Sequence, residues 1–124
     1  MRKQYHFRPG PDGLRVWDIH RLVMLAADLP IVQFPVSAIR EFDEPYWYGP
    51  DTIPTCRSVT EHTHLIKEAD ASFPIILSAD GRVMDGMHRV AQTVMRGQDT
   101  VPAKQFTTDL EPDYVGIEPD MLPY

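Results

Sequence analysis

FPIILSADGRVMDGMHRVAQTVMRGQDTVPAKQF, residues 73 to 106, is the stretch that decides the fold class of this chain. Phe73 to Ser78, FPIILS, is the best strand in the chain. Asp80-Gly81 marks a hairpin turn into a short strand at Val83-Met84. Val90, Ala91, Val94 and Met95 then recur at the spacing of one helix face, and Gly97 supplies a stop. Thr100 to Phe106 predicts a closing strand. Strand, hairpin, helix and strand in this order predict a compact α/β (α+β) domain, a small mixed sheet flanked by helices.

Upstream, Ser58-Val-Thr-Glu61 has the form of a capping box, opening a helix whose buried face carries His62, Leu65, Ile66 and Ala69. Ile31 to Val36 predicts a strand that Pro35 confines to a sheet edge or to its own end. Ser37 to Pro54 reads as a long loop dense in aromatics and carboxylates, and such loops are often functional. Asp18 is a suitable N-cap for a helix over 19–28, with Ile19, Leu22, Val23 and Ala26 inward and Pro30 as its stop. Arg8 to Gly13 reads as a turn-rich lead-in. Residues 107–124, acidic and interrupted by prolines, read as a tail on the surface or partly disordered. The expected organisation is therefore an N-terminal extension with one helix over 1–30, a core over 31–106 and an acidic tail over 107–124.

A chain of 124 residues, 43% hydrophobic and 24% charged, is the size and balance of one folded domain. Its net charge is −6, and no basic run exceeds Arg2-Lys3, which argues against nucleic acid as a partner. The single Cys56 excludes an internal disulfide and a multi-cysteine zinc site. No apolar run approaches the roughly 20 residues of a membrane span, and the first residues lack the apolar core of a signal peptide. A cytoplasmic protein with no membrane partner is the expectation.

Within the opening stretch, Asp85-Gly86-Met87-His88-Arg89 stands at a strand-to-helix junction. The first amides of a helix lack intrahelical acceptors and that end is partly positive, so cations there are mildly unfavourable. His88 and Arg89 oppose the dipole, which points to a bound anion cradled by the turn, with Gly86 allowing close backbone approach. Arg57, just before the second helix, is a further anion candidate. The plainer alternative makes Asp85 an N-cap, Gly86 a turn residue and Arg89 a solvated partner of an acid. Spacing leaves both open.

The run Phe73 to Phe106 resembles the core of the ParB/sulfiredoxin superfamily in its Pro-Ile strand, hairpin, Asp-Gly-x-His-Arg turn, Gly stop and Val-Pro strand. Gln33 to Ile39, QFPVSAI, is similar to that superfamily's opening Pro-Val-x-x-Ile segment, so the resemblance spans about 31–106. It implies that Gly86, Met87, His88 and Arg89 hold nucleotide phosphates. Sulfiredoxin chemistry needs a Cys where this chain has Met87, so that activity is not expected. Partition proteins carry Gly-Glu-Arg-Arg at the turn and continue into a helical DNA-binding domain for which this chain has no room.

The Asp-Gly-x-His-Arg form most resembles the branch that includes free serine kinases. It implies a nucleotide-dependent small-molecule kinase, taking Mg²⁺ with a nucleoside di- or triphosphate, ATP or ADP, and moving a phosphoryl group to a small hydroxylated substrate. Asp85 would then meet the metal or the acceptor, and Glu41, Asp43 or the adjacent Glu44 would orient the nucleophile. Solvated loop carboxylates are the plainer reading of those three. His62 and His64 point to different faces of a helix and read as core or surface histidines. Tyr46, Trp47 and Tyr48 offer a stacking platform or packing beneath the loop. The alternative function is a non-catalytic nucleotide or anion sensor, or a ParB-like module engaging a partner or DNA as an oligomer.

Overall fold

Period-2 alternation, turn chemistry and helix caps divide the chain into seven strands and three α-helices among the described residues, 3–49 and 51–124, of a computed structural model. They run β1 (Tyr5–Gly10), β2 (Gly13–Asp18), α1 (Ile19–Leu25), β3 (Val32–Pro35), α2 (Cys56–Glu68), β4 (Ile75–Leu77), β5 (Val83–Asp85), α3 (Met87–Met95), β6 (Thr100–Gln105) and β7 (Tyr114–Val115). One sheet has the order β3-β6-β4-β5, with β4 and β6 parallel and the other neighbours antiparallel. The second has the order β1-β2-β7, all antiparallel. A mixed α+β domain is what the chain forms.

The Ile75-Ile76-Leu77 run is apolar throughout because both faces of β4 are covered. Ile75 and Leu77 face one core with Val83, Met87, Val90, Val101, Ala103 and Ile39. Ile76 faces the other, with Met84, Phe106, Trp17, Leu22 and Ala26. The first core lies under α3 and the second under α1 and the β1–β2 hairpin. β3 is an edge strand ending at Pro35, in line with the constraint that proline imposes.

Several local expectations are corrected. Arg8 to Gly13 is the end of β1, a two-residue turn at Pro11-Asp12 and the first residue of β2, with Gly10 opposite Gly13, rather than a lead-in. Asp18 does cap α1, its side chain accepting from the His20 amide, but the helix stops at Leu25 and Val23 is half exposed. In α2 the cap is Thr55, whose hydroxyl accepts from the Ser58 amide while Ser58 Oγ accepts from the Thr55 amide; Ser58 is the third helical residue. Leu65 and Met95 are exposed. Gln92 and Thr93 are buried in α3, and Gln92 Nε2 donates to the carbonyls of Ile66 (3.0 Å) and Ala69 (2.8 Å), tying down the end of α2.

The largest correction concerns residues 107–124, which are ordered against the domain. β7 extends the hairpin sheet beside β2, Trp17 Nε1 donates to the Leu110 carbonyl at 3.1 Å, and Leu122 is buried. The Asp113 carboxylate accepts from the Asp18 amide at 2.8 Å and pairs with Arg21 at 3.2 Å. Leu110 packs on the second core and Leu122 is buried, which acidity alone did not forecast. No helix among the described residues is long and apolar enough to cross a membrane.

Candidate functional site

Gly86 joins β5 to α3 with φ of +104°, a conformation that L residues avoid. A Cβ there would lie 2.7 Å from Ile75 Cγ2 and 2.9 Å from Arg89 Nη2, so space and torsion both demand glycine. Gly86 is itself the N-cap and no side chain caps α3. The N-cap role considered for Asp85 is therefore corrected. The amides of Met87 and His88 find no acceptor among the described residues, as expected of an uncapped helix start.

Arg89 is committed to the protein. Its Nη2 meets Asp85 Oδ2 at 2.9 Å, and its Nη1 reaches the carbonyls of Phe73 (3.1 Å) and Pro74 (3.0 Å). The guanidinium thus stitches the start of β4 to the end of β5 beneath the turn. Met87 sends its side chain into the first core, leaving its amide as the group it offers to the turn.

A cavity of about 320 Å³ opens over this turn. The turn contributes Asp85, Gly86, Met87 and His88; β1 contributes Tyr5, His6 and Phe7; the loop before α2 contributes Tyr46 and Trp47. A larger apolar groove of about 960 Å³ shares Gln4, Ile19 and the same four turn residues, then runs on along Val23, Leu65, Ala69 and Phe73. The turn sits where a chamber of mixed polar and apolar lining meets a largely apolar groove.

Electrostatics distinguish the groups around the chamber. Burial pushes the Tyr46 hydroxyl up to about 12, with the negative charges of Glu41 and Asp85 adding to it, so Tyr46 is a neutral donor. Burial pushes His6 down to about 4, aided by Arg8, so His6 is a neutral imidazole; its Nε2 is buried without a partner. His88 Nε2 lies 2.9 Å from His62 Nδ1, and Trp47 stacks over both rings at 4.6 and 4.5 Å. His88 is also lowered, first by burial and then by His62 and Arg89.

The loop carboxylates do not converge on this chamber. Glu41 is only 4% exposed; its Oε2 accepts from the Val83 amide at 2.9 Å and lies 3.7 Å from Arg82, while Oε1 is buried without a partner. It lines a separate small cavity with Tyr46 and Trp47. Asp43 is exposed, and Glu44 pairs with Arg82 at 2.8 Å. Arg57 is exposed on the first turn of α2, and neither it nor Asp43 lines any of the cavities described. His64 is exposed too.

The structure therefore brings together Asp85, Gly86, Met87 and His88, and adds His6, Tyr46 and His62, which the local motif did not announce. His6 carried no local signal, since its strand was hidden by Pro9 and Gly10. His62 did carry one: with Ile66 and Ala69 it shares the face of α2 turned toward α3. Among the described residues no group of three or more His, Cys, Asp or Glu side chains is arranged to hold a metal ion. No protein-family model, curated protein or solved structure matches this chain.

Proposed function

We propose that this domain, read as ParB/sulfiredoxin-like, binds a nucleoside di- or triphosphate, ADP or ATP, with its phosphates at the start of α3 and its apolar part in the adjoining groove. The observation that carries the reading is the junction itself: two free helix amides, an obligatory left-handed glycine and His88 open on a chamber of mixed lining continuous with an apolar groove. The chamber lining has no arginine or lysine, so phosphate charge falls to amide dipoles, His88 and a cation brought with the nucleotide. Asp85 fits that last need, because Mg²⁺ is commonly held by one or two carboxylates together with the ligand's own phosphates. Its Oδ1 has no protein donor among the described residues, while Oδ2 is held by Arg89. Bound there, Mg²⁺ would neutralise charge between the phosphates.

Phosphoryl transfer to a small hydroxylated acceptor rests on Asp85 as the orienting carboxylate, since Glu41 and Asp43 stand outside the chamber. The non-catalytic nucleotide or anion sensor is favoured by one specific observation, the engagement of Glu41 with the β5 backbone. The testing experiment is calorimetric titration with ADP, ATP and CTP, with and without Mg²⁺, followed in parallel by Trp47 emission. Saturable binding whose Mg²⁺ dependence is lost in Asp85→Asn supports the site. No heat with any nucleotide overturns it. Product formed from ATP and a hydroxylated acceptor would decide for transfer, and saturable binding with no turnover across such acceptors for sensing.

A further inference from the structure

The imidazoles of His62 and His88 approach along a single line, Nδ1 to Nε2 at 2.9 Å, with their rings inclined by only 20°. One nitrogen must donate and the other accept, so the contact requires one hydrogen between them. The indole of Trp47 lies nearly flat over both, at 17° to His62 and 12° to His88. These residues come from three segments: the loop that walls the chamber, α2 and α3. Their contact joins elements that the sheet itself does not hold together.

We propose that His62, His88 and Trp47 form a proton-operated latch on the chamber, closed while the two rings share a hydrogen and opened when both are protonated. A single added proton leaves an N–H to N bond intact and places a cation on the indole face, which attracts it. A second proton turns both facing nitrogens into donors and sets two positive charges side by side. The bond between α2 and α3 is then lost, and Trp47 loses the flat surface on which it rests. The hydrogen is shared, so the opening step belongs to the contact between the rings rather than to either histidine.

The surroundings favour release over retention of the second proton. On α3, Arg89 faces His88 with a like charge. From the loop come Tyr48, edge-on to His62 with its hydroxyl 3.3 Å from Ser58 Oγ, and the neutral Tyr46. Across the chamber β1 presents Tyr5 and neutral His6, and Asp85 is the carboxylate among the lining residues, already held by Arg89. Neither imidazole has an ion-pair partner among the described residues. Burial of His88 acts in the same direction, so opening falls on the acid side of the ordinary histidine range.

The test needs no ligand, and so stands or falls apart from nucleotide binding. Acidifying the full chain from about pH 6.5 to about pH 5 should red-shift Trp47 emission and raise its quenching by acrylamide while far-ultraviolet circular dichroism is unchanged. Trp17, buried in the other core, contributes a background that His62→Phe shares with the wild type. His62→Phe keeps a ring for stacking but nothing to titrate, and should abolish the acid response. Nitrogen-15 spectra of the wild-type rings give a second readout, with two coupled steps expected for His62 and His88. Independent one-step titrations of the two rings, an acid response unchanged in His62→Phe, or a response that coincides with loss of helix signal would each overturn the latch.

Discussion

The four-stranded sheet and the three-stranded sheet each join a local hairpin to a strand from far along the chain, but the two distant strands are of very different length. In the first, β4, β5, α3 and β6 follow one another within residues 75–105, and the four-residue β3 pairs β6 across about seventy residues. In the second, the β1–β2 hairpin is local, and the two-residue β7 joins β2 across about a hundred residues. Yet both cover β4, one through Ile75 and Leu77, the other through Ile76. A strand buried on two sides makes the three-stranded sheet as necessary to the core as the four-stranded one.

The strongest way to break this comparison is to remove residues 107–124. That deletes β7, the carbonyl that accepts from Trp17, and buried Leu122. A loss on the order of 5 kcal/mol, comparable with the whole stability of a small domain, is expected. Urea unfolding should show the cooperative transition disappearing; a truncated chain that unfolds at the wild-type midpoint would mean that the four-stranded sheet stands alone.

A sharper comparison sets Leu77→Ala in the first core against Leu22→Ala in the second, both residues being fully buried. Each should cost about 3 kcal/mol through lost contacts and the cavity left behind. If the two faces form one cooperative unit, tryptophan emission and circular dichroism will report the same shifted midpoint in each variant. Separate midpoints would divide the faces into two units.

The second core should also be the acid-sensitive one, because His6 packs at 5.6 Å from Trp17. Folded His6 titrates near 4 against an ordinary 6.5, so the fold binds fewer protons than the unfolded chain between those values. Stability is unaffected above pH 6.5 and falls as pH drops toward 4, by about 3 kcal/mol in total. His6→Phe should flatten that decline. An unchanged pH profile of urea midpoints in the variant would assign the acid loss to other groups.

Glu44→Gln is the smallest change, since the Arg82 pair it weakens is largely exposed. A loss below about 1 kcal/mol is expected, further reduced by salt. By contrast Glu41→Gln touches the amide of Val83 and the buried Oε1, so a measurably larger effect at the same ionic strength should separate the two.

This contrast explains what could be read in the sequence. The Pro-Ile-Ile-Leu run, the Asp-Gly turn, the amphipathic helix and the Val-Pro strand each carry their signal within a few residues, so the local sheet was legible. The hairpin was not, because Pro9, Gly10 and Pro11 mask the strand on either side of its turn. β7 was not, because a two-residue strand has no periodicity and gains its meaning from β2. At the site, Gly86 could be read from the turn alone. Arg89 could not, since its carbonyl acceptors at Phe73 and Pro74 lie on the other side of the sheet's hairpin. The His62–His88 contact required knowing how α2 lies on α3.

The clasp of Gln92 on the last carbonyls of α2 gives that helix a second fastening, one that no change of pH can unmake. Ile66 and Ala69 are held at the C-terminal end, while His62 is gripped one turn earlier. Under the proposed opening, loss of the upper grip would leave α2 hinged at its C-terminal end rather than adrift, and able to return to the same seat once the rings share a hydrogen again.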